Sequence, residues 1–105
     1  MTFEEIVAML TDTGLPFAYH HFAEGESPDP PFLICLSPGS HNFGADGGVY
    51  FKINLLDIEL YTDIKDPDAE ALVESVLDAA GIFYDKTESY IEEENLYEVL
   101  YEMEV

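Results

Sequence analysis

The chain has 105 residues, 48% of them apolar, and carries 23 acidic residues against three lysines, for a formal net charge of −20. The apolar content excludes a disordered acidic tail, and the length predicts a single domain over residues 1–105. The charge disfavours direct binding to nucleic-acid phosphates or to anionic membrane surfaces, because both kinds of binding need clustered Lys and Arg.

The N-terminal residues predict a helix. Thr2 and Glu5 have the spacing of a capping box, in which each side chain accepts a hydrogen bond from the other residue's backbone. Apolar residues then recur at helical spacing, and Gly14 is suited to end a helix. We therefore expect a helix over about residues 3–13. The segment lacks the basic and apolar regions of a signal peptide, and no apolar run has the length of a membrane helix.

Two short strands are predicted next. Residues 17–22 are rich in aromatic side chains and residues 32–36 form an apolar run, whereas the prolines within residues 24–31 predict a loop. Cys35 is the only cysteine of the chain, so no intrachain disulfide can form. We expect it to pack as a small apolar side chain, in keeping with a reducing cytoplasm.

A glycine-rich segment, residues 37–48, precedes the strongest strand signal, residues 49–61. Within that strand the apolar alternation changes phase at Leu55 and Leu56. Because successive side chains of a strand point to opposite faces, the change predicts a bulge or burial of both faces. We favour one long strand that bends at this point.

The second helix is predicted to start at Asp66 and Pro67 and to end at Gly81. Its predicted buried stripe consists of Ala69, Leu72, Val73, Val76, Leu77 and Ala80, and its predicted solvent face of Glu70, Glu74 and Asp78. Residues 82–84 begin another extended segment, and alternation over residues 97–105 predicts a half-buried strand with an acidic outer face. The element order α-β-β-β-α-β-β predicts an α+β fold, with two helices packed on one face of an antiparallel or mixed sheet.

The candidate metal ligands form no recognisable motif. His20 and His21 are neighbours on a predicted strand and should point to opposite faces, so one ion should not bind both. His41 stands alone, and no tight Cys/His spacing indicates zinc. Asp46 and residues 92–94 offer carboxylates to calcium without an EF-hand loop, so a solvated acidic surface is the preferred interpretation.

No catalytic or cofactor motif is present either. Ser40 beside His41 lacks the elbow motif of a hydrolase, and the glycines of residues 39–48 match neither a P-loop nor a dinucleotide-binding loop. Cys35 has aliphatic neighbours and no adjacent base. The sequence therefore predicts a protein that is not an enzyme and that has no cofactor.

Five blocks of sequence resemble a known family. They are GLPFAYHHF (14–22), PPFLICL (30–36), NFGADGGVY (42–50), IELYTDIKD (58–66) and YIEEENLYEVLYEME (90–104). The blocks cover nearly the whole chain, and they resemble small proteins encoded among the head–tail joining and tail genes of long-tailed phages and prophages of Gram-positive bacteria. Within that group the chain is similar to tail-terminator, or tail-completion, proteins.

This resemblance implies a non-enzymatic structural protein that forms a ring, usually a hexamer, which caps the tail tube and docks to the head connector. The implied partners are further copies of the chain, the tail-tube protein and a head-connector or head-closure protein. DNA would pass through the ring without specific binding, and no membrane partner is implied. The implied location is the bacterial host cytoplasm during virion assembly and then the virion tail. Another head–tail joining or head-closure role is the alternative in the same setting.

The candidate assembly site is the glycine-rich segment, interpreted as an arm that orders on contact with a neighbour or the tail tube. Its residues are Gly39, Ser40, His41, Asn42, Phe43, Gly44, Ala45, Asp46, Gly47 and Gly48. An exposed hairpin loop without a partner is the alternative interpretation of this segment. From other functional classes, an acidic inhibitor that mimics DNA remains open, and so does a small hydrolase.

Overall fold

The computed structural model describes residues 1–45 and 48–105, and the side chains of residues 1–40 and 54–105. Its elements, in chain order, are α1 (Phe3–Thr11), β1 (Phe17–Tyr19), β2 (Phe32–Leu36), β3 (Ser40–Ala45), β4 (Gly48–Thr62), α2 (Pro67–Ala79), β5 (Tyr84–Ile91) and β6 (Leu96–Glu104). Neither helix is long and apolar enough to cross a membrane.

Both helices begin with the predicted caps. The backbone N–H of Glu5 donates to Thr2 Oγ1 over 3.1 Å, and the backbone N–H of Thr2 donates to Glu5 Oε1 over 2.9 Å, which completes the capping box of α1. At α2, the carboxylate of Asp66 accepts from the backbone N–H of Ala69 over 3.0 Å. Gly81 follows α2 with a φ of 69°, which glycine adopts without a steric penalty.

Five strands form one mixed sheet in the order β1-β2-β4-β6-β5. β1 and β2 are parallel, and every other neighbouring pair in this main sheet is antiparallel. The main sheet and the two helices confirm the predicted α+β fold with the order α-β-β-β-α-β-β. β3 is a further strand outside the main sheet, and it lies within the segment that the sequence predicted as an arm or a loop.

β4 changes partners where its apolar alternation changes phase. Asn54 pairs with Ser40 of β3, whereas Leu55 pairs with Glu104 of β6, and the β6 pairing then continues without a shift to Thr62. The single long strand is therefore confirmed, but the predicted bulge at Leu55 and Leu56 is wrong. The alternation changes phase at the point where β4 stops pairing with β3 and begins to pair with β6.

One apolar core lies between the helices and one face of the main sheet. Its buried members are Met9 and Leu10 of α1, Ala69, Val73 and Leu77 of α2, and, from the sheet, Leu33, Cys35, Leu56, Ile58, Leu60, Val99, Tyr101 and Met103. Residues of both helices contact the same set of sheet side chains, which confirms the predicted packing on one face. Alternate residues of β2, β4 and β6 supply the sheet part of this core, as period-two alternation requires.

Three side-chain predictions for α2 are wrong. Leu72, predicted to be buried, is 45% exposed, whereas Glu70, predicted to face solvent, is only 5% exposed. Ala80 is also exposed, since α2 ends at Ala79. The stripe that faces the sheet contains Ala69, Val73 and Leu77, with Val76 partly buried beside them. The first turn places Glu70 against two lysines instead of water.

Candidate functional site

Most of the residues predicted to form an assembly arm form a β-strand in the structure. Ser40–Ala45 forms β3, which pairs antiparallel with the first part of β4, with a register shift between Phe43 and Gly44. Gly48 is the first residue of β4, while Asp46 and Gly47 lie outside the described residues, as does the calcium interpretation of Asp46. The segment is thus one strand of a β-hairpin, which we call the β3–β4 hairpin.

The base of this hairpin is tied to the main sheet. Leu55 N–H donates to the carbonyl of Gly39 over 2.9 Å, and Val105 N–H donates to the carbonyl of Asn54 over 2.8 Å. Ser37 Oγ donates to the carbonyl of Leu55 over 2.7 Å. The hairpin therefore starts from an anchored base and continues β4 beyond its pairing with β6.

β3 and β5 each have one edge without a partner strand in the described part of the chain. β3 pairs only with β4, and β5 pairs only with β6. The opposite edge of the main sheet is the short strand β1. Unpaired N–H and C=O groups along an edge can pair with a strand of another chain, so both edges are potential assembly surfaces.

The sheet face opposite the helices, which we call the open face, collects carboxylates. It contains Asp57 and Glu59 of β4, Asp85 of β5, and Glu98, Glu102 and Glu104 of β6. Asp57 pairs with Glu102, which in turn pairs with Asp85, so three acids stand side by side across three strands. Burial, together with Glu102 and Glu59, raises the pKa of Asp57 above its ordinary value. The predicted acidic outer face of the last strand is confirmed.

Glu98 is the most perturbed carboxyl group of the open face. Partial burial, a hydrogen bond with Glu59 and repulsion from that carboxylate raise the pKa of Glu98 from 4.5 to about 7. Tyr61 Oη donates to Glu59 Oε2 over 3.0 Å. Glu98 is therefore easier to protonate than an exposed carboxyl group.

Both lysines whose side chains are described lie on the helix side of the sheet. Lys65 Nζ and Lys86 Nζ each lie 2.7 Å from a carboxylate oxygen of Glu70. Burial raises the pKa of Glu70, but hydrogen bonds from both lysines more than offset this and bring it below its ordinary value. No sequence pattern indicates this ion network, because contacting members are up to 23 positions apart, from Lys65 to Glu88.

The ion network of Lys65, Glu70 and Lys86 extends to Tyr101, a buried residue of the core. Lys86 Nζ lies 2.8 Å from Glu74 Oε2, the same oxygen that accepts a hydrogen bond from Tyr101 Oη over 2.8 Å. Lys65 Nζ lies 2.6 Å from Glu88 Oε1. These contacts join α2 to β5 and β6, so the two lysines have a structural role. No lysine whose side chain is described lies on the open face.

The histidines are arranged differently from the prediction. β1 ends at Tyr19, and His20 has a φ of 68°, so the alternation of a strand no longer separates the neighbouring rings. His20 Nδ1 lies 2.9 Å from His21 Nδ1, and the expectation that the two side chains point apart is wrong. The side chain of His41 is outside the described set. No group of three or more His, Cys, Asp or Glu residues in the described ranges is placed to hold a metal ion.

Cys35 lies in the core, as predicted. It is 3% exposed, and burial raises the pKa of its thiol, which disfavours the reactive thiolate.

The site as a whole consists of two unpaired strand edges and an acidic open face, an arrangement suited to contacts with other macromolecules. Comparison with known proteins finds no family model and no curated protein that matches the chain.

Proposed function

We propose that the chain is a non-enzymatic structural protein of a phage or prophage tail: the terminator, which forms a ring, caps the tail tube and joins it to the head connector. The observation that carries this proposal is the β3–β4 hairpin, which extends β4 out of the main sheet and presents an unpaired edge. The family resemblance of the sequence supplies the biological setting.

The two unpaired edges support ring formation. A ring requires two different surfaces on each subunit, which meet head to tail around the axis. The edge of β3 and the edge of β5 belong to different sheets of the same chain, and each spans at least six residues. Pairing of the β3 edge of one copy with the β5 edge of the next would satisfy the exposed backbone groups of both.

The open face supports a role in the ring channel. Carboxylates that face a channel would repel DNA phosphates and let DNA pass without being held. The described lysines lie on the other side of the sheet, so they do not neutralise this face. In this proposal the helices face outward and the open face lines the channel, with a hexamer as the ring size that the resemblance implies.

Electron microscopy of the purified protein mixed with tail tubes tests the proposal. We expect a ring at one end of each tube, and bare tubes at both ends would contradict it. In a phage that carries the gene, deletion of residues 41–47 should give tails of abnormal length that do not join heads. A control variant outside the hairpin, Asp68→Asn/Asp78→Asn on α2, should leave the tails normal. Circular dichroism of both variants verifies that the main sheet still forms.

A second function is favoured by a specific observation. The acids that are spread along the sequence come together on the open face, as an inhibitor that mimics the phosphates of DNA would require. Incubation with nucleases and restriction enzymes tests this alternative, since a DNA mimic should inhibit at least one of them at stoichiometric concentration. Inhibition that disappears in an Asp57→Asn/Glu102→Gln variant would support the mimic and count against the tail role.

A further inference from the structure

A cleft lies on the open face between the segment after β1 and the sheet. The segment after β1 contributes His20, His21 and Ser27, the sheet contributes Phe32 and Tyr61, which we call the floor, and the turn between β5 and β6 contributes Glu94. Its volume of ≈ 260 Å³ is enough for a single long side chain rather than a folded element. Among the residues whose side chains are described, none of those that line the cleft belongs to β3 or β5, so the inference below does not depend on ring assembly.

The floor of the cleft is aromatic. The rings of Phe32 and Tyr61 are stacked at 5.3 Å with an interplanar angle of 25°, and Phe22 meets Phe32 edge-on at 5.4 Å. The face of an aromatic ring attracts a cation positioned over it.

Carboxylates stand beside this aromatic floor. Glu59 and Glu94 line the cleft, and Glu98 on β6 shares a hydrogen bond with Glu59. Within the part of the chain that the structure describes, no lysine or histidine forms an ion pair with any of these three acids. Glu98 instead retains a proton up to a pH of about 7, as expected for two carboxylates without a nearby cation.

The chemistry of the cleft indicates one kind of occupant. A guanidinium group is planar, stacks on aromatic rings and donates two parallel hydrogen bonds to a carboxylate, so it matches both the floor and the acids. The sequence contains no arginine, so a second copy of the chain cannot supply this group. A protein segment that supplies this group must therefore come from a different protein.

We propose that the cleft between the loop of residues 20–31 and the open face binds an arginine side chain on an extended segment of a partner protein. The guanidinium stacks on the Phe32–Tyr61 pair and is held by Glu59 and Glu98. The carboxylate of Glu94 also lines the cleft and favours further basic residues on the same segment.

The test uses the full chain and a blocked pentapeptide with a single arginine between glycine and serine residues. Amide shifts of the ¹⁵N-labelled protein are followed at about pH 8, above the pKa of Glu98, and at low salt. We expect saturable shifts centred on residues 20–22, 32–34, 59–61 and 94–98. The same peptide with citrulline, the neutral analogue of arginine, should bind at least about tenfold more weakly, and the lysine peptide about two- to threefold more weakly.

Two charge-matched variants separate the cleft from the general field of the protein. Glu59→Gln/Glu98→Gln should weaken binding of the arginine peptide by roughly five- to tenfold, whereas Asp68→Asn/Asp78→Asn, on α2, removes the same charge and should weaken it by less than about twofold. Tyr61→Leu tests the aromatic floor and should also weaken binding.

Three outcomes would overturn the inference. One is equal affinity for the arginine and citrulline peptides, and another is an equal loss in the two double variants. The third is binding of spermidine as tight as that of the arginine peptide, which would identify a small polycation rather than a protein segment as the ligand.

Discussion

The Nζ atom of Lys86 on β5 lies 2.7 Å from Oε1 of Glu70 on α2. This contact closes a network in which Glu70, nearly inaccessible to solvent, is held between two lysines. Burial of a carboxylate is costly unless cations and hydrogen bonds replace its water, and here two lysines do so. The first turn of α2 is thereby fixed to the edge strand of the main sheet.

Substitution of Glu70 should therefore destabilise the fold. Glu70→Gln leaves the two lysine ammonium groups without their shared partner, and we expect the free energy of unfolding to fall by about 1–3 kcal/mol, since both lysines remain partly exposed. Urea unfolding followed by circular dichroism measures this change. Asp78→Asn, an exposed position on the same helix, is the control and should change stability by less than about 0.5 kcal/mol. Equal effects of the two substitutions would show that the network contributes nothing.

The hydroxyl group of Tyr101 should matter on its own. The side chain is fully buried, and its Oη donates to Glu74 over 2.8 Å. Tyr101→Phe keeps the ring and removes this donor to a charged acceptor, so we expect a loss of about 1–2 kcal/mol in urea unfolding. Tyr90→Phe, at an exposed position on β5, provides the comparison and should be nearly neutral. A stability of Tyr101→Phe equal to that of the wild type would contradict the assigned hydrogen bond.

Glu98 should make the protein less stable at alkaline pH. Its pKa is raised from 4.5 to about 7 in the folded chain, so the folded state binds more protons than the unfolded state between these values. The associated stability is present below about pH 4.5 and is lost as the pH rises through about 7. Because Glu98 remains partly exposed, we expect the effect to be about 1 kcal/mol.

Comparison of urea unfolding at about pH 5.5 and about pH 8 measures this dependence. Glu98→Gln should be more stable than the wild type at the higher pH and should show a flatter profile. Glu93→Gln, in the exposed turn between β5 and β6, is the matched control and should retain the slope of the wild type. If the stability of Glu98→Gln keeps the pH dependence of the wild type as well, Glu98 is not the group that causes this dependence.

Cys35 should be unreactive in the folded protein. Burial raises the pKa of its thiol and blocks access to reagents. We expect a disulfide reagent such as DTNB to modify Cys35 at least about 100-fold more slowly in buffer than in denaturant. Fast modification under native conditions would show that β2 opens readily. A Ser37→Cys/Cys35→Ser variant, with its thiol at an exposed position, sets the rate for an accessible cysteine.

Local chemistry was sufficient to predict the helices. The capping box of Thr2 and Glu5, the Asp66–Pro67 start and Gly81 all act within one turn of the chain, so their sequence spacing is also their spatial arrangement. The same holds for the alternation of Val99, Tyr101 and Met103, which predicts a buried face whatever strand lies beside it. The α+β class followed from the order of these elements.

Pairing partners could not be predicted in the same way. The glycine-rich segment has weak strand propensity, and β3 forms because β4 extends beyond the main sheet and offers it an edge. Similarly, His20 and His21 come within 2.9 Å because β1 stops at Tyr19, a boundary that its parallel pairing with β2 decides.

The sequence by itself determined the fold class, the helix starts, the burial of Cys35 and an excess of acid that leaves most carboxylates without a cation in the chain. Only the tertiary structure decided where that charge lies. Strand pairing between distant segments places Asp57, Asp85 and Glu102 side by side on the open face. Lys65 and Lys86 lie on the other side of the sheet, where both contact Glu70 of α2. Coulomb interactions depend on distances in space, and these are set by contacts between residues far apart in the chain.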